Sequence, residues 1–156
     1  MARTFLRLAA ALVCLGAVAG PAAAQQPATK TFTVADAQAS APVGVTIIVK
    51  KVTVGEDATV VTLVASFDSS ETNSVNLNNS NAFLALGNDR KLHLRQLEDN
   101  PDMTIRNGQS MEGNLVFPGR IPADVREVSL VFNDGADGTS TIAPGVTVKI
   151  PLVEAP

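Results

Sequence analysis

The sequence predicts an all-β fold, a single antiparallel β-sandwich of seven to nine strands behind an N-terminal signal peptide. Three observations support this prediction. Short apolar runs alternate at a period of two, turn-forming residues recur roughly every ten residues, and no segment sustains a helical period of about 3.6. A chain of 156 residues, of which 46% are hydrophobic, suits one domain with one core.

The first 24 residues have the pattern of a secretory signal peptide. Arg3 and Arg7 form a positive start, residues 6–18 form a short apolar stretch, and the small residues before position 25 predict cleavage after Ala24. The apolar stretch is too short to span about 30 Å of hydrocarbon, so we expect no transmembrane segment in the mature chain. We therefore expect an exported protein, either periplasmic or secreted.

Cys14 offers an alternative interpretation of the leader, as a lipid attachment site. Lipidation prefers a small residue immediately before the cysteine, whereas Val13 stands there. We favour an ordinary apolar role for Cys14 within the leader and keep lipid anchoring as the alternative.

The charge and the cysteine content exclude several classes of protein. Twelve basic and fifteen acidic residues give a net charge of -3, and removal of residues 1–24 leaves ten basic residues against fifteen acidic ones. A nucleic-acid binder needs a concentrated cationic face, so that class is excluded. One cysteine and one histidine exclude Cys/His zinc sites and disulfide-stapled scaffolds.

Residues 25–42 form a polar N-terminal segment with one possible strand at 31–34, and the sandwich domain is predicted over 43–156. At its start, residues 45–54 and 59–67 are rich in β-branched side chains and are joined by a short glycine-containing loop, which predicts a hairpin. In residues 59–67, apolar side chains occur at both odd- and even-numbered positions, and thus on both faces of the strand. That pattern predicts a central hairpin that is covered on both faces.

The middle of the chain predicts a crossover and a second hairpin. Residues 68–81 are rich in asparagine, which favours turns, so we expect them to cross the surface. Residues 82–86 and 91–97 flank a turn at 87–90 and predict the hairpin. In its second strand leucines alternate with charged residues, as a half-buried antiparallel strand requires.

The remaining residues predict one long loop and three strands. The loop covers residues 98–108 and is punctuated by Asn-Pro and Asn-Gly. Alternating strands are predicted at 110–117, 127–133 and 146–152. Within the second of these we expect Val131 to face outward.

A family resemblance adds to this interpretation. The segment 106–117 places one glycine at a turn, a second glycine inside a strand, and an apolar residue two positions before Phe117. A proline-containing connection at 121–124 then leads into the alternating strand at 128–132. This pattern is similar to the Ig-like sandwich domains of secreted bacterial proteins, many of which are lipoproteins or immunogenic antigens of unassigned activity. The resemblance implies an Ig-like fold and export, and it implies no reaction.

The sequence carries no motif of a known catalytic site, so we predict that the protein is not an enzyme and needs no cofactor. His93 is the only histidine, and neither a Gly-x-Ser-x-Gly elbow nor a P-loop occurs. Asp99 with Asp102, or Asp134 with Asp137, are the candidate carboxylate pairs for a glycosidase. Such enzymes usually line their clefts with aromatics, whereas this sequence contains no Trp or Tyr.

Two metal sites are weaker alternatives. Asp134 and Asp137 lie on a glycine-rich turn whose carboxylates suit calcium, although ordinary turn chemistry explains the same residues. His93, Met103 and Met111 are the candidate ligands for copper. These residues define the alternative function of a periplasmic metal carrier.

Charged residues near the second hairpin define a candidate contact zone for an unknown protein or envelope component. It consists of a cationic stripe followed by an acidic loop, and its residues are Arg90, Lys91, His93, Arg95, Glu98, Asp99 and Asp102. The alternative is solubilising charge that protects an edge strand. We predict a non-catalytic domain that acts in binding or structural support. The remaining alternative, an adhesin or pilus-like subunit, would polymerise through a donated strand.

Overall fold

The computed structural model describes residues 29–34 and 37–153. The predicted leader, its cleavage site and Cys14 lie outside these residues. The strands within the described ranges are β1 (Lys30–Thr33), β2 (Gln38–Ala41), β3 (Val45–Val54), β4 (Ala58–Phe67), β5 (Ser74–Asn76), β6 (Phe83–Ala85), β7 (Lys91–His93), β8 (Thr104–Arg106), β9 (Gln109–Pro118), β10 (Glu127–Phe132) and β11 (Val146–Pro151). The described residues include no helix that is long and apolar enough to cross a membrane.

The strands form two main sheets and one small one. In the first sheet β1 and β2 both pair with β3, which pairs with β4, which pairs with β9. The second sheet has the order β11-β10-β6-β7, and β5 pairs with β8 in a separate ribbon. Every pairing is antiparallel. The predicted all-β antiparallel sandwich is therefore confirmed.

The core lies between the two main sheets and is aliphatic apart from a few phenylalanines. Phe67, Phe117 and Phe132 are among the largest fully buried side chains, and they come from β4, β9 and β10. Burial of one such side chain contributes about 1.5–3 kcal/mol to stability. Because strands of both sheets supply this core, the described residues from 37 to 152 behave as one packed unit.

The described strands number eleven, more than the predicted seven to nine. The excess comes from β2, β5 and β8, which have only three or four residues each. Runs this short contain too little alternation to be distinguished from loops in the sequence. Their pairing depends instead on partners that are distant in the chain.

The segment that precedes residue 43 contributes two strands rather than the one that the sequence predicts. β1 pairs with the end of β3, from Lys30 opposite Val54, and β2 pairs with the beginning of β3. Phe32, Val34 and Ala37 are buried in the same core as the rest of the sandwich. The described residues of this segment, 29–34 and 37–42, are therefore packed into the domain.

The first predicted hairpin is confirmed as β3 and β4, and it is central in its sheet. The expectation that it is covered on both faces is wrong. In β4, Val61 and Leu63 are buried, whereas Val60 and Val64 on the opposite face are only half-buried. The second sheet packs on the inner face alone, so the outer valines reflect β propensity rather than burial.

The two long connections are more ordered than the sequence predicts. β5 lies within the asparagine-rich crossover and β8 lies within the predicted loop at 98–108, and the two strands pair with Val75 opposite Ile105. Both of these side chains are buried in the core. The expectation of an irregular loop over 98–108 is therefore wrong for residues 104–106.

The second predicted hairpin is confirmed as β6 and β7. Phe83 lies opposite Val131 on one side and opposite His93 on the other, so all three side chains share the outer face of the second sheet. Val131 points outward as predicted, but it is only 9% exposed. Its cross-strand neighbour Phe83 is 6% exposed, and the two side chains shield each other from water.

Candidate binding cleft beside strand β9

One edge of the first sheet carries backbone groups that no strand in the described part of the chain pairs. β9 bonds with β4 along its whole length, and just beyond β9 the N–H of Gly119 donates to the Asp57 carbonyl over 2.7 Å, in register with this ladder. That bond sets the phase of the ladder, because hydrogen-bonded and non-hydrogen-bonded pairs alternate. The N–H and C=O groups of Ser110, Glu112 and Asn114 therefore point away from β4.

The chain that follows β7 lies beside this edge but separates from it. The N–H of Leu94 donates to the carbonyl of Ala82, just before β6 of the second sheet, and the N–H of Arg95 donates to the carbonyl of Val116 on β9, each over 2.8 Å. Residues 97–100 then run in the direction opposite to β9. Among the described residues, this segment makes no backbone hydrogen bond with residues 110–114 of β9.

A cleft of about 220 Å³ occupies the resulting gap. Residues 97–100 form one wall and residues 111–115 form the other, while the buried side chain of Leu63 forms the floor. Gly113 lies opposite Leu63 in the β4–β9 register. A Cβ at Gly113 would meet no atom within 4 Å, so the absence of a side chain there leaves the cleft open.

The rim of the cleft is acidic. Glu98 and Asp99 lie on the wall formed by the connecting segment, and Glu112 lies on β9. All three are exposed, and none forms an ion pair with another described residue. The lining also includes the apolar side chains of Leu97 and Met111. The cleft thus combines an apolar interior, unpaired backbone groups and a rim of negative charge.

The acidic half of the predicted contact zone is divided by the structure. Glu98 and Asp99 line the cleft, whereas Asp102 does not. The carbonyl of Asp102 accepts a hydrogen bond from the N–H of Asn78 over 2.9 Å, which ties its segment to the asparagine-rich crossover. Sequence reasoning missed the β9 wall. The available signal was Gly113, because a glycine inside a strand often marks a close approach by another group.

Of the cationic half of the zone, Lys91 and His93 lie on β7, the edge strand of the second sheet, while Arg90 precedes this strand and Arg95 follows it. The ammonium of Lys91 lies 4.0 Å from the centroid of the Phe83 ring and 3.6 Å from a carboxylate oxygen of Asp134. The His93 ring is tilted against the same phenylalanine at a centroid distance of 5.9 Å. Two stripe residues are therefore engaged in covering Phe83, and Arg90 lies exposed in the turn before them.

The three candidate copper ligands lie in different environments. Met103 is fully buried at 0% exposure, whereas His93 lies on the exposed edge strand. Met111 lines the cleft, where its sulfur is 3.8 Å from the amide nitrogen of Asn100. Within residues 29–34 and 37–153, no group of three or more His, Cys, Asp or Glu side chains is arranged to hold a metal ion.

Asp137, proposed for calcium, is engaged by its own turn. One carboxylate oxygen accepts hydrogen bonds from the N–H and the hydroxyl of Thr139, each over 2.9 Å. The backbone bond and then the hydroxyl bond lower the pKa of Asp137 below its usual 3.8. The carboxylate therefore stabilises the turn above pH 3.8, and this contribution is lost as the pH falls through the lowered pKa.

Replacement of Thr139 with valine is expected to raise the pKa of Asp137 part of the way back to 3.8, because the hydroxyl is removed and the backbone N–H is kept. A carbon-detected NMR pH titration of the carboxyl group measures this change. Thr147→Val, at an exposed position on β11, is the control. An unchanged Asp137 pKa in Thr139→Val would contradict the assigned role of the hydroxyl.

Comparisons with known proteins identify the fold. A scan against protein-family models and a search of curated proteins each gave no match. Among solved structures, the chain is similar to the crystal structure of a functionally unknown protein from Listeria monocytogenes EGD-e, with 9% sequence identity and a TM-score of 0.56. The likeness covers 82% of this chain and 88% of the other. The shared fold is an antiparallel β-sandwich.

Proposed function

We propose that this chain is an exported, non-catalytic Ig-like domain that acts by binding a partner in the cell envelope or outside the cell. The observation that carries the proposal is the cleft beside β9, where the unpaired backbone of Glu112 and Asn114 faces an apolar gap. Unpaired strand edges are usually protected in folded proteins because they pair readily with other chains. An edge left open beside a cleft is therefore suited to recognition.

The order of the strands supports the Ig-like assignment. In immunoglobulin domains one sheet contains strands A, B, E and D, and the other contains G, F and C, with C′ added in variable-type domains. Here β3, β4 and β9 correspond to A, B and E, while β11, β10, β6 and β7 correspond to G, F, C and C′. The D strand would pair with β9. Residues 97–100 occupy that position in the chain order and do not pair.

Export and the absence of catalysis are supported by the sequence and by the placement of reactive groups. The pattern of residues 1–24 supports export. His93 packs against Phe83, Asp134 pairs with Lys91, and Asp137 bonds with its own turn. These three residues, which a catalytic or metal mechanism would use, thus have local structural roles.

Photo-cross-linking from the cleft tests the proposal. A photoreactive amino acid at Glu112 on the rim is expected to capture a specific partner in cells that express the full 156-residue sequence. The same amino acid at the exposed Asp124, which does not line the cleft, is the matched control. A product that depends on position 112 supports the binding function. The proposal fails if Glu112 gives no product, or if both positions give the same one.

The open edge also favours a second candidate, an adhesin or pilus-like subunit. A strand donated by another copy of the chain would complete the first sheet at β9. In that case the product cross-linked from Glu112 would have twice the mass of the protein, and size-exclusion chromatography would show polymers. A heterologous product with a monomeric protein would exclude this candidate.

A further inference from the structure

We propose that the occupant of the cleft is an extended basic peptide segment that adds to β9 as a further strand. The segment places one apolar side chain over Gly113 and directs flanking Lys or Arg side chains towards the acidic rim. This inference rests on the proposed binding function and deepens it, because it states the chemistry of the partner. Three independent properties of the cleft lead to it.

The first property is the backbone. Ser110, Glu112 and Asn114 present their N–H and C=O groups outward at every second residue, which is the spacing that an added strand pairs with. A strand that spans these residues is about five residues long, or roughly 17 Å. Arg95 already makes one such bond to Val116 at the end of this edge. The edge is therefore oriented for further pairing.

The second property is the space over Gly113. A residue directly opposite Gly113 on an added strand points to the same face of the sheet, which is the inner face with Leu63 and Leu115. An apolar cavity of about 150 Å³ binds benzene, so a cleft of about 220 Å³ can hold one aliphatic or aromatic side chain. The central residue of the segment is therefore apolar.

The third property is the charge on the rim. Neighbours of that central residue lie opposite Glu112 and Asn114 and point to the outer face, where a Lys or Arg would meet Glu112. Glu98 and Asp99 add negative charge from the facing wall. An acidic segment would be repelled from these three carboxylates. The complementary pattern is basic-apolar-basic.

Binding of synthetic peptides to the protein purified from cells that express the full sequence tests this inference. The probe is a fluorescent peptide, Thr-Thr-Lys-Leu-Lys-Thr-Thr, and fluorescence anisotropy measures its affinity. We expect saturable binding that weakens at least tenfold in Gly113→Leu, whose side chain fills the cleft, and in Glu112→Lys. Thr147→Leu adds the same side chain on the exposed face of β11 and should leave binding unchanged.

Two variant peptides separate strand addition from simple charge attraction. Methylation of alternate backbone nitrogens removes the donors that pair with β9, and replacement of lysine by glutamate reverses the charge. Both changes are expected to abolish binding. The inference would be overturned if either variant peptide bound as tightly as Thr-Thr-Lys-Leu-Lys-Thr-Thr, or if Thr-Thr-Lys-Leu-Lys-Thr-Thr itself did not bind. Thermal melting confirms that Gly113→Leu is folded, and Glu112→Lys gives an independent surface variant.

The outcomes distinguish this inference from the proposed function. If cross-linking from Glu112 captures a partner in cells but the basic peptide does not bind, the cleft binds something of different chemistry and only the inference fails. If the position-dependent cross-link is absent, the proposed function fails, whatever the peptide does.

Discussion

Replacement of Asn133 with alanine is expected to destabilise the protein by about 3–5 kcal/mol. Asn133 is 2% exposed, and its amide group makes four hydrogen bonds. The side-chain oxygen accepts from the N–H groups of Asn79 and Ser80, and the nitrogen donates to the carbonyls of Asn76 and Pro144. Alanine removes the partner of all four backbone groups, and each group that stays shielded from water without a partner costs about 1–3 kcal/mol; the Pro144 carbonyl is the most deeply buried of them.

The backbone of Asn133 adds to this cost. Its φ is 49°, in the left-handed region that alanine adopts at a cost of about 1–2 kcal/mol. Asn88 has a φ of 50° but is exposed in the turn between β6 and β7, so Asn88→Ala isolates the conformational part. We expect Asn88→Ala to cost about 1–2 kcal/mol, well below the cost of Asn133→Ala.

Urea unfolding of both variants measures this difference in free energy. A further variant, Asn133→Asp, keeps the oxygen that accepts from Asn79 and Ser80 but places a second oxygen against two carbonyls. It should therefore also be strongly destabilised at neutral pH. Equal losses for Asn133→Ala and Asn88→Ala would show that the hydrogen bonds contribute little.

The second large effect is expected at the turn that leads into β3. Gly44 has a φ of 108°, and an added Cβ would overlap the backbone carbonyl of Asp68. Backbone cannot move aside as the end of a side chain can. The N–H of Asp68 also donates to Gly44 over 3.0 Å, so a shift would weaken the pairing that starts the β3–β4 ladder. We expect Gly44→Ala to cost about 3 kcal/mol or more.

Gly87→Ala is the matched control for this prediction. Gly87 has a φ of 81°, but an added Cβ would meet no atom within 4 Å. Its substitution should therefore cost only the conformational part, about 1–2 kcal/mol. Differential scanning calorimetry of both variants measures the comparison. If Gly44→Ala melts no lower than Gly87→Ala, the close approach to Asp68 does not limit stability.

The particular residues show which parts of the fold were predictable. The hairpin of β3 and β4 was predictable because its strands are long and adjacent in sequence. That Val60 and Val64 are only half-buried could not be predicted, because a β-branched residue favours a strand whether or not another layer covers it. The pairing of Val75 with Ile105 was also not predictable, because it joins two short segments that are far apart in the chain.

The candidate site was predictable only in part. Glu98 and Asp99 were identified as contact residues because charged loops on a rigid sandwich often carry recognition. Glu112 and Gly113 were not identified, because their strand looks complete in the sequence. Whether an edge is open depends on which segment lies beside it in space. In this protein, residues 97–100 approach β9 without pairing.

The sequence by itself determined the class of fold, the positions of the main strands and the leader pattern, because alternation and turn residues are local properties. Only the tertiary structure decided which strands share a sheet, which face of each is buried, and which edge remains unpaired. These features depend on contacts between residues that are distant in the chain. The cleft beside β9 belongs to this second group, since its two walls come from segments whose approach no local pattern specifies.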